Sequence, residues 1–253
     1  MKIAVVTGAS SGMGRECAIQ IADRFSGIEE IWAIARREER LKELQTELPV
    51  PLRIFPIDIT NDISLNMLRE ALEQEKPEVR ILVNAAGFGK IGNIGALDLA
   101  DETGKVRLNC EALCTVTHLV LPYIADHSRI LQFASAAAFL PQSGFAIYAA
   151  TKSFVLSYSR ALNDELRSRD ILVTAVCPGP VRTEFFDIAE STGEIPAYKQ
   201  LAMADPKKVV RQAIRDSMMG RHVSVYGGLM KTFAAVCKVL PHEMLLKIKN
   251  QLQ

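Results

Sequence analysis

Short runs of β-branched and apolar residues recur along this chain, separated by segments with helical periodicity, and that alternation restricts the fold more than any other feature. Ile3-Ala4-Val5-Val6 is followed by a Gly-containing turn and an amphipathic stretch to about residue 25. Ile31-Trp32-Ala33-Ile34 precedes a charged helical pattern over residues 38–48, and Leu52-Arg53-Ile54-Phe55 precedes another over residues 63–74. Residues 79–83, 129–133 and 171–176 are further strand candidates, and residues 223–228 read as a last strand and turn. Strands this short and this apolar, with helices between them, predict a parallel sheet covered on both faces. Right-handed crossovers then give a doubly wound α/β fold. No linker, repeat or low-complexity tract interrupts the 253 residues, so one domain is expected.

Composition removes several function classes. Thirty basic residues face twenty-nine acidic ones, for a net charge of +1, so the basic footprint of a nucleic-acid partner is missing. The five cysteines are scattered, and none stands with His or a second Cys pair at zinc-site spacing. They read as reduced thiols in a cytoplasmic protein, with no metal. The strand pattern begins directly after Met1, leaving no room for a signal peptide. No stretch reaches the roughly 18 uncharged apolar residues of a membrane span.

In a parallel sheet every strand delivers its C-terminal end to one edge, where such folds bind ligands. Thr7-Gly8-Ala9-Ser10-Ser11-Gly12-Met13-Gly14 lies between the first strand and first helix. Its glycines permit close backbone approach, and the helix N-terminus offers free N–H groups to a pyrophosphate. The second strand ends at Arg36-Arg37, with no carboxylate until Glu38. An acidic residue there would hold the ribose 2′-hydroxyl of NAD, whereas guanidinium groups suit the 2′-phosphate of NADP(H). The plainer reading, a solvated helix start, is weakened because basic side chains oppose the dipole at that end. Asp58 ends the third strand, with Thr60 or Asn61 better suited to cap the helix that follows.

Tyr148-Ala149-Ala150-Thr151-Lys152 places a phenol and an ammonium on one helix face. A cation near 4 Å contributes about 4 kcal/mol at an effective dielectric of 20. That is enough to lower the phenol's pKa from about 10 and make it a general acid/base. Ser135, just past the fifth strand, could hydrogen-bond a substrate carbonyl. Asn109 falls in a long helix expected over residues 103–123, where a small amide has poor propensity. A buried amide satisfying a neighbouring loop explains Asn109 equally well.

Together these segments, with Asn84-Ala85-Ala86-Gly87 and Pro178-Gly179-Pro180-Val181-Arg182-Thr183, resemble the ordered motif set of the short-chain dehydrogenases/reductases. The similarity runs over residues 2–183 and more weakly to residue 227. It implies a Rossmann-like fold and hydride transfer between NADP(H) and a carbonyl or secondary alcohol. Tyr148 would move the substrate proton, Lys152 would lower its pKa and hold the nicotinamide ribose, Ser135 would orient the carbonyl, and Asn109 would support a water-linked relay. Gly8, Ser10, Ser11, Gly12, Met13, Gly14, Arg36, Arg37, Asp58, Asn84, Ala85, Gly87, Pro178, Gly179, Val181 and Thr183 would bind the cofactor, with Tyr148 and Lys152. Asp58 would meet the adenine edge. Ala85 stands where many relatives carry a second Asn, which bears on the sheet edge rather than the chemistry. The resemblance also implies a homo-oligomer through the helices carrying Asn109 and Tyr148. A non-catalytic NADP(H)-binding sensor or scaffold is the alternative, opposed by the complete Asn109, Ser135, Tyr148 and Lys152 set.

The strand–helix rhythm lapses over residues 184–203, which read as a flap over the substrate cleft. Phe88, Phe139, Phe145, Phe185 and Phe186 would make that cleft apolar if they face it, with core packing the competing reading for each. In the tail, Leu229, Phe233, Val236 and Leu240 share a helical face, Pro241 marks a break, and Leu245, Ile248 and Leu252 continue a second stripe. Four lysines make this tail basic. It reads first as an amphipathic helix pair packed on the body or a sister subunit, and second as a contact with a membrane surface.

Overall fold

The computed structural model describes residues 1–185, 189 and 203–251. Seven parallel strands form one sheet in the order β3-β2-β1-β4-β5-β6-β7. They are β1 (Lys2–Thr7), β2 (Glu30–Ile34), β3 (Leu52–Phe55), β4 (Glu78–Asn84), β5 (Ile124–Phe133), β6 (Leu172–Val176) and β7 (Val223–Ser224). The reversal of strand order falls between β1 and β4, which leaves a crevice above their C-terminal ends.

Burial follows from the alternation of side chains along each strand. Ile3 and Val5 of β1 enter one apolar layer with Leu68 and Leu72 of helix α3 (Asp62–Glu75). Ala4 and Val6 enter the opposite layer with Ala18 and Ile21 of α1 (Gly12–Arg24) and Leu41 of α2 (Glu38–Gln45). All four β1 side chains have no exposure, as a sheet covered on both faces requires. Local signals set the helix starts: the Asn61 side chain accepts hydrogen bonds from the N–H groups of Ile63 and Ser64.

The long helix expected over residues 103–123 is compound. It starts earlier as α4 (Leu99–Val106), widens into a π-helical turn (Arg107–Ala112), resumes as α5 (Leu113–Val120) and ends in a 3₁₀ turn (Leu121–Tyr123). Asn109 occupies the wide turn, the kind of irregularity that frequently accompanies functional sites. β5 begins at Ile124, five residues before the expected start at residue 129, and carries a positive φ at His127 (59°). The remaining helices are α6 (Ala146–Glu165), α7 (Pro206–Met218), α8 (Gly228–Val239) and α9 (His242–Gln251). The sequence pattern had not singled out α7, although Asp205-Pro206 is a start signal: the Asp205 side chain accepts from the Lys207 N–H. The α8–α9 pair bears out the expected helical tail with a break near Pro241. No helix among the described residues is long and apolar enough to cross a membrane.

Leu82, in the middle of β4, is fully buried in the layer shared with α3 and α5. Leu82→Ala is expected to lower unfolding free energy by about 2–5 kcal/mol, read in a denaturant titration of Trp32 fluorescence. Trp32 is the chain's sole tryptophan and is itself fully buried.

Candidate active site

Strand register puts the polar edge in one line. Phe55, Ile34, Thr7, Asn84, Gln132, Ala175 and Val223 are successive partners across the sheet, so the segments that follow them emerge side by side. Above this row lies a cavity of about 1160 Å³. Every residue expected at the site lines it except Asn84 and Asn109.

The cofactor loop is folded tightly against the β4 edge. Gly8 adopts φ +71°, and a Cβ there would stand 2.8 Å from the Ala86 backbone nitrogen. A Cβ on Gly14 would fall 2.4 Å from the Gly8 carbonyl oxygen, so only glycine lets α1 start this close to the loop. Between them, the Thr7 hydroxyl accepts hydrogen bonds from the N–H groups of Ala85 and Ala86 at 3.1 and 3.2 Å. This clamp was missed at the sequence level; Thr7 is the last residue of an apolar strand and its buried hydroxyl required a partner. A glycine-rich loop that brings its backbone close to the cavity, at a helix N-terminus with Arg36 and Arg37 on its rim, fits a dinucleotide. Arg37 reaches Ser10 Oγ at 3.3 Å and pairs with Glu184 at 2.8 Å. Asp58 lines the cavity while its carboxylate accepts from the N–H and hydroxyl of Thr60.

Two expected site residues are buried just behind the cavity lining. Asn84 was expected in the cleft wall, yet it is buried below the edge, where its amide donates to the Thr117 hydroxyl of α5 at 2.9 Å. The strand continues one residue further than the loop reading assumed, so the wall is built by Ala85, Ala86 and Gly87. Asn109 is fully buried beside the cavity. Its side chain brackets Phe88, accepting from the backbone N–H at 3.1 Å and donating to the carbonyl at 3.0 Å, and it also donates to the Thr151 hydroxyl at 3.0 Å. Both polar atoms are therefore engaged in holding the β4 loop against α6, as the buried-amide reading describes.

Tyr148 and Lys152 lie one turn apart on α6, both buried and both on the cavity. Lys152 Nζ donates to the Phe133 carbonyl at 2.7 Å and sits 5.6 Å from the Tyr148 ring centre. The Tyr148 ring is held between Phe145, with centroids 4.2 Å apart, and Phe185, at 5.4 Å. Ser135 caps a 3₁₀ turn (Ala136–Phe139) by accepting from the Ala137 N–H, and its side chain meets the Tyr148 hydroxyl. The electrostatics differ from the sequence expectation. Burial pushes Tyr148 up to about 12, against a smaller lowering by Ser135, and burial brings Lys152 down to about 8. Desolvation dominates at both groups, and Nζ is held by the Phe133 carbonyl. The arrangement is a neutral phenol beside a cation and a hydroxyl, able to give a proton to an oxygen placed between them.

The apolar end of the cavity is built by Phe88, Phe145, Phe185 and Leu140, with Leu229, Met230, Phe233 and Leu245 from the tail. Phe139 packs instead in the core beneath α6. Phe186 and all but residues 184, 185, 189 and 203 of the expected flap lie outside the described residues, as do Leu252 and the side chain of Ile248. All five cysteines are free thiols, with burial pushing Cys110 up to about 11.

The family model described as short chain dehydrogenase matches residues 2–192. The chain is 33% identical to sulfoacetaldehyde reductase 2 of Chromohalobacter salexigens over 72% of this chain and 74% of that protein. It is 30% identical to the very-long-chain 3-oxoacyl-CoA reductase of Rattus norvegicus over 81% of this chain and 68% of that one. A solved short-chain dehydrogenase from Sphingobium yanoikuyae in complex with NADPH superposes with a TM-score of 0.77 at 28% identity, covering 89% and 87% of the two chains. Matched along most of its length in both sequence and fold, the chain belongs to the short-chain dehydrogenase/reductase family of nicotinamide-dependent oxidoreductases.

Proposed function

We propose that this protein is an NADP(H)-dependent oxidoreductase that reduces an apolar ketone or aldehyde, or oxidises the matching secondary alcohol. The observation that carries this reading is the meeting of Tyr148, Ser135 and Lys152 in the same cavity as the glycine cradle and the Arg36-Arg37 rim. When bound in that cradle, the cofactor supplies or accepts the hydride.

The chain's own residues do the rest. Ser135 and the Tyr148 hydroxyl would hold the carbonyl oxygen from two sides, and Tyr148 would deliver its proton as negative charge grows there. Phe145 and Phe185 keep the phenol out of water, which strengthens its interaction with the charge it neutralises. Lys152 provides fixed positive charge beside the phenol while its carbonyl partner keeps it from swinging away. Asn109 and Thr151 act at one remove by pinning the Phe88 loop on which the substrate would rest. The ring of Phe88, Leu140, Phe233 and Leu245 supports an apolar substrate, since polar groups buried there would lack partners.

Two experiments test the reading. In a panel of carbonyl substrates with NADPH consumption as readout, Tyr148→Phe should lower kcat by about 10²–10⁴-fold while NADPH affinity, measured by fluorescence, stays within twofold. Equal rates for the two proteins would sink the mechanism. Replacing Arg36 and Arg37 together with Ala should weaken NADPH binding by roughly ten- to a hundredfold, the worth of one or two hydrogen bonds to a charged group. NADH binding should barely change; an equal loss for both cofactors would remove the case for the 2′-phosphate.

A further inference from the structure

Glu184 stands next to Thr183 at the end of the Pro178–Thr183 segment, and the sequence pattern placed it only as the first residue of the expected flap. Its carboxylate lies across the mouth of the cofactor cradle. Oε2 accepts from Arg37 Nη2 at 2.8 Å, and the Ser11 side chain also hydrogen-bonds to it. Arg37 itself leans on Ser10. Glu184 thus engages a guanidinium and a loop hydroxyl from the group of donors that an anion at the adenosine end would use. Arg36, by contrast, has no ion-pair partner among the described residues and lies open on the rim.

We infer that Glu184 is a specificity-determining residue that occupies the 2′-phosphate seat as an internal carboxylate, so that a phosphate-bearing cofactor binds by displacing it from Arg37. The inference rests on the NADP(H) reading above. Three features support displacement. A carboxylate and a phosphate are alternative partners for the same guanidinium fork. The Arg37–Glu184 pair is half-exposed, with side chains 48% and 42% accessible, which makes it weak enough to be replaced by a doubly charged group. Glu184 also adds a negative charge at the rim that repels phosphate while it stays there, because its neighbours hold its carboxyl below the usual range. The residue consequently tempers affinity for NADP(H) and ties the seat at the adenosine end to the Pro178–Thr183 segment.

The test is calorimetric and needs no turnover. Adenosine 2′,5′-bisphosphate, NADPH and NADH are titrated into wild type, Glu184→Gln, Arg37→Ala and the double variant. Glu184→Gln should tighten adenosine 2′,5′-bisphosphate and NADPH by about two- to fivefold, the range of an exposed ion pair, and leave NADH within experimental error. In the Arg37→Ala background the same substitution should lose most of that gain. Unchanged or weaker binding of the bisphosphate by Glu184→Gln would overturn the inference, as would an equal gain for NADH. Glu184→Ala, carried through the same titrations, guards against a new contact made by the amide. A wild type that binds NADH more tightly than NADPH would instead strike the cofactor reading, while the cycle between Glu184 and Arg37 would still decide whether the carboxylate competes for the seat.

Discussion

A sheet buried on both faces has nowhere to present chemistry except along its edges, and parallel strands collect all their C-terminal ends at one of them. The rest of this structure depends on that constraint. Ile3, Ala4, Val5 and Val6 alternate between two apolar layers, and only after Thr7 does the chain become polar and glycine-rich. The cradle, the Arg36-Arg37 rim, Gly87, Ser135 and the Pro178–Thr183 segment are brought together because they follow strands in register. Helix α6, packed on the same sheet, then directs Tyr148 and Lys152 at that edge.

Within the site, desolvation prevails over attraction between charges. Lys152 is buried with its ammonium on the Phe133 carbonyl, and Tyr148 is enclosed by two aromatic rings. Both groups are shifted toward their neutral forms. The phenol is thereby kept protonated at neutral pH and suited to give a proton, as carbonyl reduction needs. Ser135 works in the opposite sense, because a hydrogen bond donated by its hydroxyl stabilises the phenolate, so the three residues form a poised set instead of a simple ion pair.

Much of the fold was legible from periodicity. The seven strands fall where the short apolar runs are, because a strand buried on both faces leaves an unbroken apolar signature. The limits of that reading have physical causes. A π-helical turn preserves helical periodicity while shifting its phase, so the break around Asn109 left no mark in the pattern. β5 starts with Ala125-Asp126-His127-Ser128 after Ile124, a stretch too polar to read as strand. Site residues carried by backbone motifs, such as Gly8 and Gly14, were recognisable from type and spacing. Asn84 ends β4 with its side chain turned into the core against α5, which the sequence could not tell from a first loop residue because burial alone decides between them. The Thr7 clamp and the Arg37–Glu184 pair join residues far apart along the chain, which only the folded arrangement reveals.

The central claim is that neutral Tyr148, with charged Lys152 beside it, is the acid of a carbonyl reduction. The pH dependence of reductive kcat/KM tests this most directly, because that parameter reports ionisations of the free enzyme. Burial lowers the Lys152 ammonium to about 8, so its charge is complete on the acid side of that value and is lost as pH rises through it. Tyr148, raised to about 12, stays protonated throughout. The account predicts a reductive kcat/KM that is level between pH 6 and about 7 and falls as pH rises through about 8. A rate that rises across that range, as a phenolate base would produce, would contradict it.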